Sequence, residues 1–247
     1  YNLIIVFNMK INVPLISASF IQRPNRFITI IDIDGVRHLS HLPDPGRLKE
    51  LLLPGVELLV KKEKKGKSRK TGFTTVMVKK SGRWISLVST FPNQFVNQAL
   101  KRNKLSILKS YTLIRPEVAI NNHRFDFLLC DKKGRDFLLE VKSVTYVENK
   151  IAKFPDAVTL RGMKHAKALT DIVNKGGRAG ILFVCQRSDA ILFEPMWNRD
   201  PKFSLAIYNA KKSGVKVWCI TLNISPMEIT FNREIPVNLK IRKQNEV

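Results

Sequence analysis

Asp126, Glu140 and Lys142 have the side-chain types and the spacing that metal-assisted phosphodiester chemistry requires. That chemistry calls for carboxylates converging on a divalent cation and a cationic group beside the attacking water. In Leu138-Leu139-Glu140-Val141-Lys142-Ser143, a strand places Glu140 and Lys142 on one face and turns Leu139 and Val141 the other way, into a core. In Arg124-Phe125-Asp126-Phe127-Leu128, Asp126 lies between two phenylalanines that need burial, which turns its carboxylate to the face opposite them. A hairpin joining these strands brings Asp126 and Glu140 to one Mg²⁺, with the Val141 carbonyl as a further ligand and Lys142 stabilising the developing negative charge. Glu117, on the preceding strand, is a candidate third metal-binding carboxylate, or equally a charged strand residue near a basic face.

Glu-x-Lys alone is a weak signal, because it also occurs at Glu63 and Lys65 and at Glu148 and Lys150. Context separates the three. Glu63 sits in a basic loop and Glu148 in a polar turn, whereas Glu140 ends an apolar strand with an aspartate-bearing strand just upstream. The competing reading makes Glu140 and Lys142 an ordinary charged strand edge and Asp126 an ion-pair partner of Arg124.

The elements that must hold these residues follow from periodicity. Residues 112–120, 124–130 and 136–144 read as strands, and Asp131-Lys132-Lys133-Gly134 is turn chemistry that joins the second and third as a hairpin. Apolar residues at helical spacing predict helices over 93–103, 159–175 and 201–213, the last capped by Asp200. Residues 179–185 form a continuous apolar run, the pattern of a strand buried on both faces, and 215–222 read as another strand. Before all of this, residues 16–90 are mainly β, with strands at 27–33, 56–60, 73–78 and 84–88 separated by glycine-containing turns. The chain therefore reads as mixed α/β in two domains: a β-barrel unit over 9–90 and an α/β unit over 91–240.

Charge points to the partner. The formal net charge is +23, a self-repelling excess that a polyanion would offset. Seven of the ten residues 61–70 are basic; Lys61, Lys62, Lys64, Lys65, Arg69 and Lys70 are candidate phosphate contacts, unless the loop is simply solvated. Arg47, Arg124, Arg161, Lys164 and His165 are further candidates, and Asp156 is a candidate for orienting a metal-bound water, or a cap or turn residue. DNA is the expected partner, with RNA or an anionic membrane surface as alternatives resting on charge alone.

Cys130, Cys185 and Cys219 lie far apart in apolar runs, and the four histidines form no zinc-type cluster, which argues against zinc and for reduced thiols in the cytoplasm. No stretch approaches the roughly 20 apolar residues of a membrane span, and the apolar opening lacks the basic start of a signal peptide.

Six ordered motifs resemble the sugar fermentation stimulation protein A family: His41-Leu42-Pro43-Asp44-Pro45-Gly46-Arg47-Leu48, Arg69-Lys70-Thr71, Phe91-Pro92-Asn93, Arg124-Phe125-Asp126-Phe127, Glu140-Val141-Lys142-Ser143-Val144-Thr145, and Phe154-Pro155-Asp156-Ala157-Val158-Thr159-Leu160-Arg161-Gly162. The resemblance implies an N-terminal OB-like barrel, a C-terminal domain similar to the PD-(D/E)XK nucleases, and DNA binding. In that pattern Asp126 matches the metal-binding aspartate, and Glu140 and Lys142 the E-x-K pair. The chain departs at Asp44, where many members have Asn, and at Gln98, where a helical Glu is usual and serves related nucleases as an extra metal ligand. The expectation is thus a DNA-binding protein with a Mg²⁺-dependent nuclease site, or a non-catalytic DNA-binding regulator on the same scaffold.

Overall fold

A computed structural model describes residues 7–64, 70–120 and 122–241. The chain first lays down β1 (Asn8–Lys10), then β2 (Ile16–Asn25), β3 (Ile28–Ile33), β4 (Val36–His41), β5 (Glu57–Lys62), β6 (Phe73–Lys80) and β7 (Arg83–Ser86). These are followed by α1 (Phe91–Lys101), β8 (Tyr111–Ile120), β9 (His123–Asp131), β10 (Asp136–Val144), β11 (Val147–Glu148), β12 (Ile151–Phe154) and α2 (Leu160–Asn174). The last elements are β13 (Ala179–Cys185), β14 (Leu192–Pro195), α3 (Pro201–Lys212), β15 (Lys216–Ile224) and β16 (Glu228–Ile235).

In the first sheet the strand order is β4-β3-β2-β5-β6-β7, and a parallel contact between β4 and β6 closes it into a barrel. Ile31, Leu42, Leu48, Leu58, Val60 and Val78 fill the interior. Three buried hydroxyls fasten the closure: Thr75 Oγ1 lies 2.8 Å from both Thr29 Oγ1 and Ser40 Oγ, so each finds a partner away from water.

The second sheet runs β1-β16-β15-β13-β10-β9-β8, with β10, β13 and β15 parallel. β13 is buried throughout, as its unbroken apolar run predicts, because helices cover both faces. On one face α1 packs in a core containing Phe95, Phe127, Leu139 and Val141; on the other α2 and α3 cover Phe125, Leu138, Phe183 and Phe203. The α1-side core also takes in Leu59, Val76 and Met77 of the barrel, so the two halves share apolar packing.

Three features differ from the sequence-based expectation. β1, expected in the barrel unit, pairs antiparallel with β16 as an edge strand of the second sheet. α1 begins at Phe91, since Pro92 is tolerated in a first helical turn. The short sheet β11-β12-β14 and the strand β16 have no counterpart among the expected elements; β12 pairs with the distant β14, whereas β16 folds back on β15 as a hairpin.

Candidate active site

β9 and β10 form the expected hairpin, with paired residues from Asp136 opposite Cys130 to Leu139 opposite Phe127. The pairing stops there, and the next residue on each strand is Glu140 or Asp126. Past that point the Val141 N–H donates to a side chain of β9 rather than to its backbone, reaching Asp126 Oδ2 at 2.7 Å. Asn93 Nδ2, from the first turn of α1, donates to Asp126 Oδ1 at 2.6 Å. The carboxylate thus sits where the strands part, held from β10 and from α1.

The two phenylalanines flanking Asp126 are buried, but not on one face. Phe127 joins the α1-side core and Phe125 the α2-side core, where its ring lies 5.8 Å from that of His165. The expectation that both point one way is corrected: β9 leaves its partner at Asp126, and the alternation breaks with it.

Glu140 is 3% exposed. Its Oε1 accepts from Lys142 Nζ and, at 2.6 Å, from His165 Nδ1, while Oε2 is buried with no hydrogen-bond partner among the described residues. Burial by itself favours a neutral Glu140, but the hydrogen bond from His165 and the Lys142 ammonium outweigh it and hold the carboxyl below its ordinary range. Asp126 goes the other way: burial, reinforced by the charge of Glu140, pushes it up to about 6, against the Val141 N–H and the Lys142 charge. Two neighbouring carboxylates with pKa values driven apart are a recognised mark of a functional site.

His165 is therefore an inward residue that fixes Glu140, and the surface phosphate contact expected of it is not what the structure shows. Arg124 approaches Glu117, at 3.9 Å, and forms no ion pair with Asp126. Glu117 itself is exposed, at 71% of its side chain, and its backbone is in the left-handed region at φ 52°. Among the described residues no three His, Cys, Asp or Glu side chains converge as a metal group, so Glu117 is not gathered with the other two carboxylates. The helical residue touching Asp126 is Asn93, five positions before Gln98.

A hollow of about 470 Å³ opens beside His165, walled by His123, Arg124, Arg161 and Lys164; the three cationic residues are exposed. Of the basic loop, Lys62, Lys64 and Lys70 are exposed and Lys61 pairs with Glu63 at 3.3 Å, while Lys65 and Arg69 lie outside the described residues. Arg47 is exposed on the turn that joins the barrel to the second domain.

That junction is a clamp the sequence did not disclose. Asp156 Oδ2 accepts the Leu48 N–H at 2.7 Å, and its Oδ1 takes Arg199 Nη1 at 2.8 Å. Asp156 thus ties the barrel to the second domain, and neither the water-orienting nor the capping role describes it; Thr159 caps α2 by accepting from Gly162 N at 3.0 Å. Asp44 is buried, accepts the Gly46 N–H at 2.8 Å, and burial pushes its pKa up.

The donor set suits a hard divalent cation. Asp126 and Glu140 offer oxygens, and Glu140 Oε2 is a buried acceptor that neither Lys142 nor His165 takes up. Two protein carboxylates suffice for Mg²⁺, which keeps waters and completes its shell with substrate phosphate.

Residues 21–87 match the SfsA N-terminal OB domain, and residues 90–228 match the sugar fermentation stimulation protein RE domain. The chain belongs to the sugar fermentation stimulation protein family. The Acetivibrio thermocellus homolog is 39% identical over 235 residues, covering 94% of this chain and 100% of its own length. The Clostridium tetani homolog is 39% identical over 222 residues, covering 90% and 96%. Among solved structures, Pyrococcus furiosus SfsA in complex with Ca²⁺ is 25% identical, covers 93% of this chain and 98% of its own, and superposes with a TM-score of 0.84. The family membership agrees with the mixed α/β architecture, an OB barrel followed by a second, α/β domain, which the motifs implied.

Proposed function

We propose that this family member binds DNA and cleaves its phosphodiester backbone with Mg²⁺ at Asp126 and Glu140. The observation that carries the proposal is the buried, partnerless Glu140 Oε2 beside an Asp126 whose pKa is pushed up to about 6. That the P. furiosus relative was solved with Ca²⁺ supports a divalent-ion site.

Asp126, Glu140 and the Val141 carbonyl would hold the ion, which when bound polarises a phosphate and lowers the pKa of a water. His165 keeps Glu140 ionised and oriented, a supporting role that commonly costs about 10–100-fold when removed. Lys142 stabilises negative charge developing on the phosphate. Arg124, Arg161 and Lys164 beside the hollow, with Arg47 and the basic loop including Lys65 and Arg69, take the DNA backbone. RNA carries the same backbone charge and competes for the same surface, and three free cysteines fit a cytoplasmic setting.

The test is incubation of purified protein with single-stranded, duplex and branched DNA in Mg²⁺ or Mn²⁺. Wild-type protein cleaves at least one of them; cleavage no greater than that of Glu140→Gln would overturn the enzymatic claim. A second reading, a non-catalytic DNA-binding regulator, is favoured by one observation: Asp126 already uses both oxygens in hydrogen bonds, and Lys142 is engaged by Glu140. It predicts DNA binding that survives Asp126→Asn without a divalent ion.

A further inference from the structure

β10 continues past Lys142 into a second cavity, of about 300 Å³, where the barrel loop carrying Asp44 meets the segment after β12. Ser143 and Thr145 line it from the end of β10, together with Ser89, Asp44, Lys153 and Phe154. Ser143 is three residues beyond Glu140, about 10 Å along an extended strand.

The walls are fixed in advance. Asp156 ties Leu48 to the second domain, and Phe154 is wedged against the rings of Phe183 and Phe203, at 5.5 and 5.1 Å. A side chain at Gly46 would come within 2.9 Å of Asp44 Oδ1 and 3.2 Å of Asp156 Oδ2, so the loop passes as close to both acids as a backbone can.

The lining presents both polarities. Ser143 Oγ accepts from Gln186 Nε2 at 3.1 Å, which leaves its own hydrogen to donate into the cavity. Ser89 Oγ donates to the Pro43 carbonyl at 3.1 Å, and the Thr145 hydroxyl serves Asp44, which leaves their lone pairs to accept. A donor and acceptors in one wall, with the Phe154 ring, match the edge of a nucleobase; the Lys153 ammonium at the rim is held by Glu148 at 2.5 Å. The volume lies at the small end for ligand pockets, the size of one nucleoside. One segment runs past both: Ala157, Val158 and Thr159 line this cavity, and Leu160 and Arg161 line the basic hollow beside His165.

Resting on the DNA reading above, we propose that this junction cavity receives one unpaired nucleotide of the substrate while the neighbouring backbone lies at Asp126 and Glu140. Drawing a base out of the stack costs least where it is already unpaired, so the substrate class is DNA carrying a bulged or unpaired nucleotide.

The test measures binding of the full chain, in Ca²⁺, to a fully paired duplex and to the same duplex with one bulged nucleotide. The bulged duplex binds about tenfold more tightly to wild-type protein, and Ser143→Leu, which fills the cavity, reduces that preference to about twofold or less without changing affinity for the paired duplex. Should Ser143→Leu fail to fold, Ser143→Ala reduces the preference by about threefold through loss of the donor. Equal affinities in wild type, or a preference untouched by these variants, would overturn the cavity proposal while leaving DNA binding intact. Binding to neither duplex would overturn the DNA reading and this one with it.

Discussion

The Val141 N–H donates to Asp126 Oδ2 at 2.7 Å at the point where β9 and β10 stop pairing, so a side chain replaces a strand-to-strand bond. The parting of the strands creates the site. It frees the Val141 N–H, which holds the Asp126 carboxylate beside Glu140.

The raised pKa of Asp126 fixes the sign of a pH effect. An acid whose folded pKa is about 6 retains a proton that the unfolded chain releases near 4, so its effect on stability worsens as pH rises through that window. After allowance for its partial exposure the cost at pH 7 is about 1–2 kcal/mol. In chelator, Asp126→Asn flattens the slope of stability between about pH 4 and 6, measured by urea unfolding, while its single amide oxygen keeps only one of the two accepted hydrogen bonds, which offsets the gain at pH 7.

Glu140 responds oppositely. Its folded pKa is lowered, so its contribution is present above its ordinary range and lost as pH falls through the folded value. Glu140→Gln breaks a buried contact with Lys142 and His165, and thermal unfolding at pH 7 shows a loss of about 2 kcal/mol. A slope between about pH 4 and 6 that Asp126→Asn leaves unchanged would contradict the electrostatic description.

The junction clamp is structural. Asp156→Ala leaves the Leu48 N–H unsatisfied and Arg199 without its carboxylate, at a cost of about 2–4 kcal/mol. Calorimetry shows a lowered melting temperature; a change below about 0.5 kcal/mol would count against the clamp.

Electrostatic binding has its own signature. Replacing Arg124, Arg161 and Lys164 together by Ala reduces the slope of log affinity against log salt by about one for every phosphate that the variant leaves unneutralised. An unchanged slope would remove this surface from the DNA path.

Much of this site was legible because β periodicity is local. Glu140 and Lys142 sharing a face, the Asp131–Gly134 turn and the buried run of β13 all follow from residues near one another in sequence. Asn93 meets Asp126 across 33 positions, Leu48 meets Asp156 across 108, and β1 joins β16 across more than two hundred; no local period reports such pairings. His165 shows the limit within one helix. It lies in a basic segment, yet its ring turns inward because Glu140 and Phe125 offer it a partner and a packing surface.

The most direct measurement is a crystal structure of the chain with Mn²⁺ and a DNA oligonucleotide, with the ion located by anomalous scattering. The account predicts a peak bridging Glu140 Oε2, an Asp126 oxygen and a DNA phosphate. DNA seated on the basic surface, with no ion at those carboxylates, would contradict it.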